Sequence, residues 1–342
     1  MTWRYEQLWT QVRDQVQQTS QATLESGRNA WARWWATLQP PASEPPASSA
    51  PAPKLTLALG GGGGRGAAHL GVLRVLEELQ VPIDAIAGTS IGGAIGIMYA
   101  AGHTTDQIAH LFQNFTLWRI FATDPTGTGF IGLRKGATLL RELLGERTFA
   151  DLRIPCAVVA TDLISGREVV ISEGPLVEAI LATTAIPAVF PAVVRDDQLL
   201  VDGGVLNSLP VDVAERLCDG QPRVIAVQLR DPPFGIDPVP AAAGLRLGMA
   251  PRQLEIASRV LGLMIDQVTE LRLAQHPPAL CLYPDVGRIS ILDFSRSKEG
   301  IDAGEHAARA ASPELLALRS WRLSSEQTQA APARARAEAK LG

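Results

Sequence analysis

Cysteine is scarce: 342 residues carry three, Cys156, Cys218 and Cys281, and no two of them form a C-x-x-C pair. That spacing excludes a disulfide-stapled scaffold and a thiolate zinc site of the finger type. An excess of positive charge is also missing, with 31 basic against 35 acidic residues and a formal net charge of −4. Nucleic acid is therefore not an expected partner, since backbone binding calls for a basic surplus. No run of 18 uninterrupted apolar residues occurs, which argues against an integral membrane protein. No apolar signal-peptide core follows Trp3, Arg4, Tyr5 and Glu6, so the expected location is cytoplasmic, with peripheral contact at the inner membrane surface left open. H-E-x-x-H and compact acidic clusters are absent too, so neither a metal nor a cofactor is expected.

What the chain does have is apolar material, 46% of its residues, enough for a substantial core. Composition divides it into four parts. Residues 1–38 hold five of the seven tryptophans, with Tyr5, Trp9, Val12 and Val16 at helical spacing, and are expected to form an aromatic-rich helical arm. Residues 39–53, rich in Pro, Ala and Ser, read as an extended linker. Residues 54–324 form the main domain, and 325–342 a frayed tail. The arm has two readings: packing against its own domain or a second copy as a homodimer contact, or an interfacial helix on a lipid surface.

From Lys54 onward the pattern is α/β. Strands are expected at Leu55–Leu59, Ile83–Ala87, Ile154–Ala160, Glu168–Ile171, Leu199–Val201, Arg223–Leu229 and Ala279–Tyr283. Helices are expected at Ala67–Leu79, Ile91–Ala101, Leu176–Ala182, Val211–Leu217 and Pro251–Gln275, with a last one starting at Ser312–Pro313. Pro251–Gln275 is read as packed on the sheet or at an interface, with Met264 as core filling. Pro232–Gly248 is a loop, and the aromatic-rich stretch Leu111–Gly136 is either a lid or acyl-binding wall, or a satellite core. Alternating strands and helices bury both faces of a mostly parallel sheet, which defines a layered α/β domain.

Two motifs carry chemistry. Gly61-Gly62-Gly63-Gly64-Arg65-Gly66 follows a strand and opens a helix, so its unshielded N–H groups and the helix start make an anion cradle. Its spacing also fits G-x-G-x-x-G, which leaves a Rossmann-type dinucleotide site as an alternative, with Asp84 the nearest candidate for the ribose. The next strand runs into Gly88-Thr89-Ser90-Ile91-Gly92, a G-x-S-x-G turn between strand and helix that pushes a serine outward. Gly62, Gly63 and Gly64 then acquire a role as oxyanion donors to Ser90. Arg65 either orients this loop or a substrate phosphate, or is simply an exposed arginine at a helix start.

A serine nucleophile needs a proton acceptor. His276 and His306 suit a Ser–Asp–His order by sequence alone, but neither sits in a motif. Asp202 is the better partner: Leu199-Leu200-Val201 leads into Asp202-Gly203-Gly204, which places a carboxylate at a strand end where a Ser–Asp dyad is feasible. The competing reading is an ordinary Asp-Gly turn.

Taken together, G-G-G-x-R-G at Gly61–Gly66, G-T-S-x-G at Gly88–Gly92 and D-G-G at Asp202–Gly204 resemble the patatin-like phospholipase family, most closely through Leu55–Leu229. Val159-Ala160-Thr161-Asp162-Leu163 and Ala185-Ile186-Pro187-Ala188-Val189-Phe190-Pro191 resemble family patterns as well. The resemblance implies a three-layer fold with helices on both faces of the sheet. It also implies Ser90 as nucleophile, Asp202 as general base without a catalytic histidine, and Gly62, Gly63, Gly64 and Arg65 as the oxyanion loop. The implied reaction is metal-free hydrolysis of a fatty-acyl ester, a phospholipid or lysophospholipid, through an acyl-serine intermediate. Ala182-Thr183-Thr184 and Asn207-Ser208-Leu209-Pro210 depart from the family's usual residues, which puts the wall of the site and its support in question rather than its reacting groups. A non-catalytic lipid-surface adaptor using the aromatic arm is the remaining alternative.

Overall fold

In β1 (Leu55–Leu59) every residue is buried, and the period of two decides which layer each side chain joins. Leu55, Leu57 and Leu59 enter a large core on one face, together with Ile86, Val158, Ala160, Ile225 and Val227. Ala58 turns the other way and meets Ala87, Ala157, Val159, Val224 and Ala226. One face is thus lined by large aliphatics, and the other mainly by alanine, which lets the opposing helices approach closely. The computed structural model describes residues 53–114, 134–230 and 251–324, apart from 188, 221 and 292. The arm, most of the linker, the bulk of the aromatic stretch, the Pro232–Gly248 loop and the tail lie outside the described residues.

Eight strands form one sheet in the order β5-β6-β3-β2-β1-β7-β8, with β4 also paired to β3. They are β1, β2 (Ala85–Thr89), β3 (Cys156–Asp162), β4 (Arg167–Ile171), β5 (Val193–Arg195), β6 (Gln198–Asp202), β7 (Arg223–Val227) and β8 (Leu280–Leu282). The five strands β3, β2, β1, β7 and β8 run parallel, whereas β4, β5 and β6 join antiparallel. On the large-aliphatic face lie α1 (Ala67–Glu78), α2 (Ile91–Ala100), α3 (Thr105–Asn114), α4 (Arg134–Leu144) and α5 (Leu176–Thr183), which contribute Leu70, Ile95, Ile108, Leu144 and Ile180 to that core. The alanine face receives Val211, Val213 and Ala214 of α6 (Val211–Arg216) and Leu273 of α7 (Pro251–Gln275).

Two further helices close the chain, α8 (Ser297–Ala310) and a helix over 312–324. The first of these was not anticipated. It packs on α1 through glycines, since a Cβ at Gly304 would stand 1.9 Å from Ala68 O and one at Gly71 would stand 2.0 Å from Ile301 O. The pair Arg74–Glu305, at 3.1 Å, flanks this contact.

Strand ends differ from expectation for identifiable reasons. β2 starts at Ala85 rather than Ile83 because Asp84 is drawn toward β1. Its N–H donates to Leu55 O (2.7 Å), and its carboxylate accepts from Leu55 N (2.8 Å), Lys54 Nζ (3.0 Å) and Arg322 Nε (2.8 Å). β3 continues to Asp162 because β4 and β6 both pair with its last residues. β5 is a hairpin partner of β6 through Val194↔Leu199, turning on Asp196 at φ 52°.

Candidate active site

β3 sets the geometry of the site. Its first half pairs with β2 up to Thr89↔Val159. Where β2 stops, the same strand pairs with β6, beginning at Ala160↔Asp202. Ser90 follows Thr89 directly, so the serine and the aspartate are brought together from consecutive positions along one strand.

Ser90 caps α2 with φ 54° and ψ −126°, a backbone conformation that a non-glycine residue keeps only when its surroundings enforce it. Its N–H donates to Thr183 Oγ1 at 2.8 Å, and that hydroxyl donates in turn to Val159 O at 2.5 Å. One residue earlier, Thr89 Oγ1 donates to Asn207 O at 2.7 Å. The turn also needs small neighbours: a Cβ on Gly92 would lie 2.3 Å from Leu59 O.

Ser90 Oγ donates to Asp202 Oδ2 at 2.5 Å, and Asp202 Oδ1 accepts from Gly204 N at 2.7 Å. Both side chains are buried, each in a residue 6% exposed. Burial raises the Asp202 carboxyl to about 6 and outweighs the opposing hydrogen bonds from Ser90 and Gly204. The carboxylate is therefore a stronger base than a solvated aspartate and is still mostly ionised at neutral pH.

The glycine loop lies beside this pair, and a Cβ built on Gly61 would stand 3.4 Å from Ser90 Cβ. Gly61 N donates to Ser208 O (2.9 Å) and Gly64 N to Ile291 O (2.8 Å). Gly64 was expected among the oxyanion donors, but its N–H is already engaged by the Ile291 carbonyl. Among the described residues, Gly62 and Gly63 have no hydrogen-bond partner for theirs. Gly63 adopts φ 55° and faces the Ile291 carbonyl at a distance no side chain could enter.

Arg65 is not an exposed arginine at a helix start. It is 1% exposed, and its Nε donates to Ile289 O at 2.7 Å, which ties the glycine loop to the 286–291 segment. Of the roles open to it, loop orientation fits this burial. His69, in the first turn of α1, is fully buried and donates from Nε2 to Gly60 O at 2.8 Å. Desolvation lowers its pKa to about 4 despite that hydrogen bond, so it stays neutral and braces the loop from behind.

Among the described residues no histidine bonds to Ser90 or Asp202. His276 Nδ1 instead meets Glu215 Oε2 at 2.8 Å, and His306 lies on α8 near β8, at the sheet edge. Asp84, the ribose candidate, is occupied by Lys54, Leu55 and Arg322. Thr183 and Asn207 were expected to affect the wall of the site and its support, and both brace the elbow. Asn207 is fully buried, and its Nδ2 donates to Glu168 Oε2 (3.0 Å) and Asp212 Oδ1 (2.9 Å). Burial pushes the Asp212 carboxyl up, but Asn207 and the charges of Arg272 and Arg216 together hold it below the ordinary range.

The patatin-like phospholipase family matches residues 57–215. Over that span the chain belongs to the patatin-like phospholipase family. An uncharacterized NTE family protein of Mycobacterium tuberculosis is 39% identical over 162 residues, which are 46% of this chain and 45% of the relative. A second from the same organism is 31% identical over 313 residues, 83% of this chain and 52% of the relative. Patatin-like phospholipase domain-containing protein 6 of Mus musculus is 33% identical over 184 residues, 51% of this chain and 13% of that protein. The chain thus spans about half or less of the length of these relatives. Among solved structures, VipD from Legionella pneumophila shares the fold, with a TM-score of 0.50 at 13% identity over 81% of this chain and 73% of that one.

Proposed function

We propose that this patatin-family domain hydrolyses fatty-acyl esters of phospholipid or lysophospholipid type, with Ser90 as nucleophile and Asp202 as general base. The observation that carries this reading is the 2.5 Å hydrogen bond from Ser90 Oγ to Asp202 Oδ2 in a buried setting. Ser90 Oγ attacks the ester carbonyl carbon as its proton passes to Asp202. The carbonyl oxygen becomes an oxyanion that receives the N–H groups of Gly62 and Gly63. Collapse of this intermediate expels the alcohol, which takes the proton from Asp202 and leaves an acyl-serine. Water then attacks the acyl carbon, Asp202 accepts its proton, and the fatty acid departs as that proton returns to Ser90 Oγ.

The setting of each group supports its role. A base titrating at about 6 suits proton transfer near neutrality. The strained serine backbone keeps Oγ at the turn's apex. Lipid as the ester class agrees with the family, and among the described residues no helix is long and apolar enough to cross a membrane. The deciding experiment is labelling of the purified chain with a fluorophosphonate probe followed by peptide mapping. The expected label is on Ser90, with loss of both label and ester hydrolysis in Ser90→Ala. A folded Ser90→Ala protein that still hydrolyses short-chain esters would sink the assignment.

A further inference from the structure

α7 carries a second set of apolar residues on the side away from its own domain. Its inner face is anchored by buried Thr269 and by Leu273 against the alanine face of the sheet. On the outer face Ile256, Val260, Leu263, Met264 and Leu271 are 60, 50, 47, 61 and 66% exposed. Met264, expected as core filling, is among the most exposed of them. At 100° per residue these five positions fall within about 100° of the helix surface, a continuous stripe of the width that normally faces a core. Single exposed aliphatics are ordinary, but a stripe of this kind marks a contact surface.

The charges beside the stripe do not suit an anionic lipid surface. Arg272 points inward to Glu168 at 2.6 Å and Asp212 at 3.3 Å, while on the stripe's flank Arg259 lies with Asp266 and Glu270, the latter also holding Arg230 at 2.7 Å. An interfacial helix would present a basic face instead.

The spacing of the stripe matches itself in reverse. Ile256 and Leu271 stand equally far, about 11 Å at 1.5 Å per residue, on either side of the step between Leu263 and Met264. In an antiparallel pair centred on that step, Ile256 meets the partner's Leu271 and Leu263 meets the partner's Met264. A two-fold axis through such a pair brings like flanks together, because every contact from one copy recurs from the other. Arg259 then comes level with a point between the partner's Asp266 and the partner's Glu270, so opposite charges face each other at both ends. Gln267, the polar interruption, falls opposite the partner's Val260.

We propose that α7 is the interface of a homodimer, two copies packing antiparallel through the Ile256–Leu271 stripe. The contact lies on a helix of the main domain and does not depend on the hydrolase reading. Light scattering on the full chain tests it. The expected mass is twice 36.5 kDa for the wild type and a single chain for the Leu263→Glu/Met264→Glu double variant, with short-chain ester turnover unchanged. Bismaleimide treatment of Met264→Cys, mapped by peptide mass, is expected to join two copies through position 264. A wild type of single-chain mass overturns the proposal, as does a dimer indifferent to the double variant. A crosslink from position 264 to residues 1–38 of the same chain would give the stripe to the arm. A monomer that floats with phospholipid vesicles through Leu263 and Met264 would give it to lipid.

Discussion

Thr89 and Asp202 pair with neighbouring residues of the same strand, Val159 and Ala160. β2 arrives parallel and ends there, and β6 arrives antiparallel and takes over the edge that β2 vacates. The distance between Ser90 and Asp202 is therefore set by strand register, which the hydrophobic alternation of β3 fixes against slippage. A one-residue shift would turn Val158 and Ala160 out of the large core, so the site geometry inherits the stability of the sheet.

Acid titration of Asp202 is expected to control the rate. The proposed base acts only when ionised, and burial places its titration at about 6. The value of kcat/KM for a short-chain ester should fall about tenfold per pH unit below that point and level off above it. A profile flat from pH 8 down to the ordinary aspartate range would remove Asp202 from the base role.

The same burial makes Asp202 costly to the fold at neutral pH. Its folded pKa is raised from 3.8 to about 6, so its contribution to stability is complete below 3.8 and is lost as pH rises through 6. The difference corresponds to roughly 3 kcal/mol. Asp202→Asn, which stays neutral, should abolish turnover yet raise the melting temperature by several degrees at pH 8. Near pH 4 the gain should shrink toward zero. Equal melting temperatures at both pH values would show that the carboxylate is better solvated than its burial indicates.

Thr183 links the elbow to β3 with a single hydroxyl, accepting from Ser90 N and donating to Val159 O. Replacement by Val keeps the volume and strands both backbone groups, at about 1–3 kcal/mol for each buried group left unpaired. Thr183→Val should lower both the urea midpoint and kcat, and Thr183→Ser should recover most of each. If Val performs like Thr, the serine conformation is enforced by packing alone.

Some of this site is legible in the sequence because its signals are local. Ser90 lies between an apolar strand and an apolar helix within one short segment, and Asp202 ends an apolar run before two glycines. Thr183 lies 93 residues from the amide it supports, and nothing near it reports the register that joins them. Asn207 is hidden in the same way, because its partners Glu168 and Asp212 sit on different elements. In α7, apolar residues occur both inward, at Ile265 and Leu273, and outward, at Leu263 and Met264, so periodicity cannot tell the buried stripe from the exposed one. α8 gave little signal because glycine and alanine replace the large residues that usually mark an inner face.

That replacement gives the last prediction. Gly→Ala within a helix ordinarily stabilises by about 1 kcal/mol through backbone entropy. At Gly304 the added methyl would stand 1.9 Å from Ala68 O and 2.8 Å from Ala68 C, backbone atoms that cannot rotate away. α8 and α1 must separate, and overpacking of this kind costs about 1–3 kcal/mol or more, so the clash outweighs the propensity gain. Gly304→Ala should lower the urea midpoint. Because α1 begins at Ala67, directly after the glycine loop, its displacement should also reduce ester turnover. Fluorophosphonate labelling of Ser90 should slow in parallel, since in the proposed mechanism attack on the probe draws on the same loop amides. A midpoint equal to or above that of the wild type would mean that the two helices pack less tightly than these distances require.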